Sequence, residues 1–378
     1  MLAFPPQALR VLVLDGQHPQ ALAVVRSLGR RKAHVTVATP GQHAIAAASR
    51  YCRDHLIAPS PHAHSDYDRW LHDALHRERY DVLVYFDPCT AEILASHPAQ
   101  IHAASCPLPG REVLREFARR DNLPALADTI GLRAAASHPQ GSDASSLARE
   151  YAILALCRRG DPVATFVHRL RGSAAESALP WFERTAAESA HQPEIRRLGL
   201  ELLSRRGWNG IATVGFQHDV HANEFRLLGL HPGWNDSIEL AIACGIDMPW
   251  LYAQLAAGRP ITGPTRYRVG RKRRRVFSAP RGELTTPAVP PEALVALRPD
   301  IGTQHFFQDP LPHLPTFRRA ARWLRARILP RPMSRSRNEP QQRSPLRSRH
   351  LPPRWHHEKA PRLMVVDGDG PKKHESRG

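Results

Sequence analysis

The first hundred residues alternate between apolar runs and helical patterns in a way that is typical of an α/β domain. Residues 10–14 and 81–86 are short apolar runs, as in strands buried in a parallel sheet, and residues 35–38 have the same character. Pro19 suits the first turn of an intervening helix, and residues 67–77 have a second helical pattern. The order strand, helix, strand predicts a right-handed βαβ unit within a small doubly wound sheet.

Two aspartates follow predicted strands of this domain. Asp15 precedes Gly16, and Asp87 precedes Pro88. Ligands of open α/β sheets bind beyond the carboxyl ends of the strands, so a crevice is expected near these residues. The sequence has no GxGxxG motif, and a dinucleotide site is therefore not supported. Turn and cap roles are the favoured interpretation of both aspartates.

The middle of the chain predicts antiparallel strands and further helices. Residues 150–157 and 162–168 are expected to form two strands joined by a tight turn. Residues 194–205, 237–244 and 250–257 have apolar positions at helical spacing.

A second hairpin is the most informative stretch. Residues 211–217 and 225–230 predict its strands, and turn-forming residues lie between them. With the turn centred near His221, Gly215 and Gly229 are expected to face each other across the strand pair.

Charge is concentrated towards the end of the chain. The 53 Lys and Arg residues outnumber the 35 Asp and Glu residues, which gives a net charge of +18. Residues 266–275 are strongly basic, and residues 316–329 predict a basic amphipathic helix that either lies on an anionic membrane or docks on the domain. From residue 330 onward the composition predicts a disordered basic tail. Such a tail binds anionic membrane or nucleic acid, or is simply a solvated extension.

Cysteine usage and the N-terminus predict a cytoplasmic protein. The five cysteines are odd in number and include no CxxC pair, so neither a disulfide framework nor a zinc knuckle is indicated. The N-terminus lacks the features of a signal peptide, and no stretch approaches the ~18 apolar residues of a membrane-spanning helix.

Several collinear stretches between residues 10 and 275 resemble one superfamily. In chain order they are DGQHPQALAVVRSLGR, SRYC followed by IAPSP, RYDVLVYFDPCTAEILA, CPLPGREVLREFARRDNLPALADTIGL, GDPVATFVHRLRG, and GWNGIATVGF through DMPWLYAQLAAG. Together they are similar to the ATP-grasp superfamily, and most of all to its carboxylate-amine ligase-like branch. The resemblance implies an α/β fold with a Rossmann-like pre-ATP-grasp domain (1–108) and a truncated ATP-grasp α+β module (109–265). A basic segment with the amphipathic helix (266–329) and the disordered tail (330–378) follow.

The resemblance implies ATP and Mg²⁺ as cofactors and a specific chemistry. Enzymes of this superfamily activate a carboxylate as an acyl phosphate, which an amine then attacks. Lysines and a mobile glycine-rich loop hold the phosphates, and carboxylates hold the metal, because Mg²⁺ demands hard oxygen ligands.

The residues that should supply this chemistry are replaced. By the resemblance, the two metal glutamates of the family fall on Gly215 and Gly229, and a family asparagine falls on His231. These are vestigial metal positions without a carboxylate, so the sequence predicts no Mg²⁺ cage.

The phosphate-binding parts are also missing. A family lysine falls on Asn122, and the sequence has no lysine between Lys32 and Lys272. The phosphate loop would lie between residues 132 and 150, where only a short polar linker is found, so a deletion is expected there.

Two other groups of residues are alternative sites. His218, His221 and His231, with Asp219 at the turn, are candidates for a Zn²⁺ or Ni²⁺ site, although chance clustering among the 22 histidines is the favoured interpretation.

His168, Arg169 and Arg171 keep part of a His-Arg-Arg run of the family. They are weak candidates for binding an anion through charge-assisted hydrogen bonds, against the alternative of surface ion pairs.

Three functional hypotheses follow. The first is an ATP-grasp-fold protein that has lost catalysis. The second is an active ATP-dependent carboxylate-amine ligase in which Asp219, Asp236 or Glu239 replaces the missing metal ligands. The third is an interaction protein that binds anionic membrane or nucleic acid through its basic C-terminal region.

Overall fold

A computed structural model describes residues 8–42, 44–97, 105–135, 148–171, 186–264, 266–273, 309 and 312. The chain divides into two units, residues 1–328 and 329–378, and all described residues belong to the first. The predicted amphipathic helix (316–329), the predicted tail (330–378) and most of the linker between residues 132 and 150 lie outside the described residues. None of the described helices is long and apolar enough to cross a membrane.

The first sheet is parallel and has four strands in the order β3-β2-β1-β4. Its strands are β1 (Arg10–Val13), β2 (His34–Thr39), β3 (Asp54–Ile57) and β4 (Val82–Val84). The helices around it are α1 (Pro19–Arg30), α2 (His64–Arg77) and α3 (Pro88–Ser96). The predicted doubly wound domain is confirmed. The sequence did not predict β3, an edge strand with only partly buried side chains, or α3.

The linker between the sheets contains two short helices. They are α4 (Arg111–Ala118) and α5 (Leu123–Asp128). Asn122 lies between them in a single 3₁₀ turn (Arg120–Asn122), where its side-chain amide donates to the carbonyl oxygen of Glu116 at 2.9 Å.

The second sheet has seven strands in the order β11-β8-β7-β6-β9-β10-β5 and is antiparallel except at β5. Its strands are β5 (Arg133–Ala134), β6 (Ala148–Arg158), β7 (Asp161–Arg171), β8 (Ala186–Ser189), β9 (Gly210–Asp219), β10 (Glu224–Pro232) and β11 (Lys272–Arg273). The helices of this part are α6 (Pro193–Arg205), α7 (Ile238–Cys244) and α8 (Met248–Ala256). Gly245 ends α7 with φ of +105°, as the sequence predicts.

The two sheets share their core through the α7–α8 region. Trp234, just before α7, is 98% buried and lies between Phe86 of the first sheet (ring centroids 6.3 Å apart) and Tyr252 of α8 (5.2 Å). The Tyr252 hydroxyl donates to the Leu83 carbonyl oxygen at 3.2 Å. The linker also approaches the second sheet closely at Gly210, where a Cβ would lie 2.2 Å from the carbonyl oxygen of Pro107.

Candidate functional site

One row of residues, called the hairpin row below, crosses four strands of the second sheet. His168 of β7 pairs with Ala152 of β6, Ala152 with Gly215 of β9, and Gly215 with Gly229 of β10. Directly paired residues share one face of a sheet, so these four positions face the same side. The predicted pairing of Gly215 with Gly229 is confirmed. The row contains an imidazole and three small apolar positions, and no carboxylate.

The backbone at Gly229 explains why glycine occupies this position. A register shift between Leu227 and Gly229 marks a bulge in β10, and Gly229 has φ of +148°. A residue with a side chain adopts such a φ only with strain. A glutamate at this position would therefore require a different local backbone.

His168 is fully buried at the end of this row. Its Nε2 lies 2.6 Å from the Ser237 hydroxyl, and its ring stacks on Phe166 with centroids 5.6 Å apart. Its Nδ1 has no hydrogen-bond partner among the described residues. Burial lowers the pKa of His168 to about 3, so the ring is neutral near pH 7 and offers no charge to an anion.

The neighbouring arginine faces the other way. Arg169 pairs in register with Tyr151, and its guanidinium binds the Glu188 carboxylate at 2.9 Å. Since successive side chains of a strand point to opposite faces, His168 and Arg169 do not converge on one anion. The side chain of Arg171 lies outside the described residues, so the anion site named for these three residues stays a prediction.

The hairpin histidines are spread along the strands. His218 stacks on Phe225 near the turn, with centroids 4.3 Å apart, whereas His231 pairs with Thr213 near the other end of β10. Desolvation of its ring lowers the pKa of His231 to about 4, although a hydrogen bond to the Trp234 carbonyl acts against this shift. Among the described residues, His218, His221 and His231 form no group able to hold a metal ion.

The three acidic residues considered as displaced ligands are also dispersed. Asp219 lies at the hairpin turn, where it accepts hydrogen bonds from the amides of His221 (3.0 Å) and Ala222 (3.1 Å). Asp236 follows the far end of β10, about 26 Å away at roughly 3.3 Å per strand residue. Asp219 and Asp236 therefore cannot share an ion. Glu239, in the first turn of α7, forms an ion pair with Arg273 at 2.6 Å.

The described part of the basic segment is built into the fold. β11 adds Lys272 and Arg273 to the edge of the second sheet through β8, and Arg273 is 93% buried. Tyr267 donates its hydroxyl hydrogen to the Ala190 carbonyl at 2.7 Å. Tyr267 and Arg273 thus attach this segment to the second sheet, and Arg273 is not available to a membrane or nucleic acid. The role of the remaining basic residues stays a prediction.

A second polar cluster lies at the carboxyl end of the first sheet. Asp15 is buried and accepts hydrogen bonds from the amides of Phe86 (3.0 Å) and Asp87 (2.9 Å). Asp87 caps α3 by accepting from the amide of Cys89 at 2.8 Å. The predicted turn and cap roles of these aspartates are therefore confirmed. His62 and Cys89, which no sequence pattern marks as site residues, lie beside Asp87, and Cys89 Sγ is 3.3 Å from His62 Nδ1.

The residues of the hairpin row do not fit Mg·ATP. Mg²⁺ needs several oxygen ligands, and Ala152, Gly215 and Gly229 supply no side-chain oxygen. His168 offers a neutral nitrogen, and its Nε2 is hydrogen-bonded to Ser237. No step of phosphoryl transfer can be derived from these side chains.

Comparison with known proteins bears on the fold. No family model and no curated protein matches the sequence. Solved structures do match. They include the biotin carboxylase–β,γ-ATP complex from Campylobacter jejuni, with a TM-score of 0.54 at 9% identity over 69% of this chain and 74% of that one. The chain has an ATP-grasp fold.

Two larger carboxylases carry the same ATP-grasp fold. Urea carboxylase from Kluyveromyces lactis matches with a TM-score of 0.53 at 12% identity, over 70% of this chain and 23% of that one. Pyruvate carboxylase from Rhizobium etli matches with a TM-score of 0.54 at 12% identity, over 70% and 30%. The chain thus spans about a quarter of the length of these enzymes. At this identity the likeness concerns the fold alone.

Proposed function

We propose that this protein is an ATP-grasp-fold descendant of the carboxylate-amine ligases that has lost Mg·ATP-dependent catalysis. The observation that carries the proposal is the register pair of Gly215 and Gly229, at the two positions where the resemblance expects metal carboxylates. The two glycines face each other as a ligand pair would, and neither has an atom that binds Mg²⁺.

The surroundings of this pair support the proposal. His168 lies in the same row, is buried and is neutral near pH 7. The positive φ of Gly229 adapts the backbone to glycine, so this position is not simply a glutamate site with its side chain removed. The absence of lysine between Lys32 and Lys272 removes the point charges that such enzymes use on phosphates.

The alternative of an active ligase with displaced ligands has less support. It needs acidic side chains that gather around one ion, and Asp219 and Asp236 lie at opposite ends of the hairpin. Glu239 is already occupied by Arg273.

Isothermal titration of the full chain with ATP, in Mg²⁺ and in EDTA, tests the proposal. We expect no heat of binding that depends on Mg²⁺. A Mg²⁺-dependent, stoichiometric interaction in the micromolar range would contradict the proposal. A parallel assay for ADP release with mixed carboxylates and amines should give the rate of the buffer control.

A further inference from the structure

The polar cluster at the carboxyl end of the first sheet has the composition of a transition-metal site. One ligand atom from each of His62, Asp87 and Cys89 lies within 4.8 Å of the others, and this is the only such group among the described residues. The group combines an imidazole, a carboxylate and a thiol. Zn²⁺ takes these three ligand types together, whereas Mg²⁺ and Ca²⁺ prefer oxygen alone.

The fold brings these residues together from distant parts of the sequence. Asp87 and Cys89 begin α3 directly after β4, and His62 lies in the loop that leads from β3 into α2. The chain crosses from the edge strand β3 to β4 through α2, whose Tyr67 hydroxyl lies 3.5 Å from the Thr90 hydroxyl of α3. Ligands of open parallel sheets bind at this end of the strands.

One pair of ligand atoms already has the spacing of a tetrahedral site. Metal–ligand bonds of about 2.0–2.3 Å place neighbouring ligand atoms roughly 3.3–3.8 Å apart. The 3.3 Å between Cys89 Sγ and His62 Nδ1 already meets this separation. His62 is exposed and the other two residues are half-buried, so an ion can enter from solvent.

The turn that carries two of the ligands is held rigidly. Buried Asp15 accepts hydrogen bonds from the amide of Asp87 and from the Thr90 hydroxyl (2.9 Å each). Asp15 adopts φ of +56°, a conformation that non-glycine residues rarely take unless their surroundings impose it. Asp15 is therefore a positioning residue for Asp87 and Cys89.

A fourth polar side chain lies beside the three ligands. His18 Nε2 is 3.7 Å from an Asp87 oxygen. A divalent cation bound at the cluster would favour carboxylate and thiolate side by side.

We propose that His62, Asp87 and Cys89 form a binding site for Zn²⁺ or a similar transition-metal ion. The site is independent of the nucleotide chemistry that the hairpin row has lost. Three protein ligands leave a fourth position for water or for His18.

Titration of the chelator-treated full chain with Co²⁺, read by absorption, tests the site. Cobalt bound to a thiolate gives a charge-transfer band, which we expect at one equivalent and which Cys89→Ser should abolish. Competition by Zn²⁺ should remove the band. His62→Ala should weaken Zn²⁺ binding about tenfold or more.

Matched variants separate the site from binding by other histidines and cysteines. His64→Ala removes an exposed neighbour of His62, and Cys52→Ser removes a half-exposed thiol outside the group. Both should bind as the wild type does. A cobalt spectrum without a thiolate band, or equal losses in His62→Ala and His64→Ala, would overturn the proposal.

Discussion

Two regions of the molecule differ in the side chains that they offer to a metal ion. In the second sheet, the row from His168 to Gly229 includes the two positions at which the resemblance implies metal carboxylates, and it holds small apolar residues with one neutral ring. At the carboxyl end of the first sheet, His62, Asp87 and Cys89 lie close together above the buried carboxyl of Asp15. On our two proposals, the first region no longer holds Mg²⁺, and the second binds a transition-metal ion that the superfamily resemblance does not imply.

This difference shows that a fold determines where a site can form and leaves the chemistry to individual side chains. The hairpin row keeps the register of its strands, and its side chains supply no oxygen ligand for Mg²⁺. The first sheet keeps the general property of parallel sheets, a crevice beyond the strand ends.

Among the three predictions on stability, removal of the Asp15 carboxyl should lower the free energy of unfolding the most. Asp15→Ala leaves the amides of Phe86 and Asp87 without an acceptor in a buried setting, and each unsatisfied group costs about 1–3 kcal/mol. We expect the free energy of unfolding, measured with urea in EDTA, to fall by about 2–5 kcal/mol. The control Asp66→Ala, which removes an exposed ion pair with Arg69, should cost under about 1 kcal/mol. Equal losses in the two variants would contradict the structural role of Asp15.

The pH dependence of stability should reveal the buried ring of the hairpin row. The pKa of His168 is about 3 in the folded chain, below its ordinary value of 6.5. Between these two pH values the unfolded chain binds a proton on this ring that the folded chain does not bind. This contribution is fully present above pH 6.5 and is lost as the pH falls towards 3. Between pH 7.5 and 5 it amounts to about 2 kcal/mol, from about 1.4 kcal/mol per pH unit.

Urea unfolding at the two pH values measures this term. His168→Gln should reduce the loss of stability on acidification by about 2 kcal/mol relative to the wild type. His221→Gln, which alters an exposed residue of the hairpin turn, is the matched control and should retain the wild-type difference. An unchanged pH dependence in His168→Gln would mean that the ring is protonated in the folded state.

Of the three predictions on stability, the substitution of alanine for Gly229 should change the free energy of unfolding the least. Gly229→Ala forces a side chain onto φ of +148°, which we expect to cost about 1–2 kcal/mol in urea unfolding. Gly41→Ala is the control, because a Cβ at Gly41 meets nothing within 4 Å and should change stability by less than about 0.5 kcal/mol. A neutral Gly229→Ala would show that the bulge tolerates a side chain, which would weaken the argument against a lost glutamate.

The sequence predicted those parts of the fold that depend on local patterns. Apolar runs predicted β1 and β4. The position of the turn between β9 and β10, near His221, predicted that Gly215 lies opposite Gly229. β3 was not predicted because its sequence, DHLI, has neither a continuous apolar run nor an alternation of apolar and polar residues. It lies at an exposed edge of the sheet. α3 could have been predicted from Asp87 followed by Pro88, an N-cap and a first-turn proline.

Contacts between distant residues could not be predicted in this way. His62 lies 27 positions before Cys89, and only the crossover through α2 brings the two side chains together. Glu239 and Arg273 are 34 positions apart, and their ion pair depends on β11 joining the sheet edge. Composition gave no sign of either pair.

Metal content of the full chain tests the contrast between the two regions most directly. The chelator-treated protein would be dialysed against Zn²⁺, and separately against Mn²⁺ with ATP as a stand-in for Mg·ATP, and then analysed for bound metal in wild type and His62→Ala. We predict more bound Zn²⁺ in the wild type than in His62→Ala, by up to one equivalent, and no Mn²⁺ retention that depends on ATP. Retention of Mn²⁺ with ATP at one equivalent or more, unaffected by His62→Ala, would contradict the account.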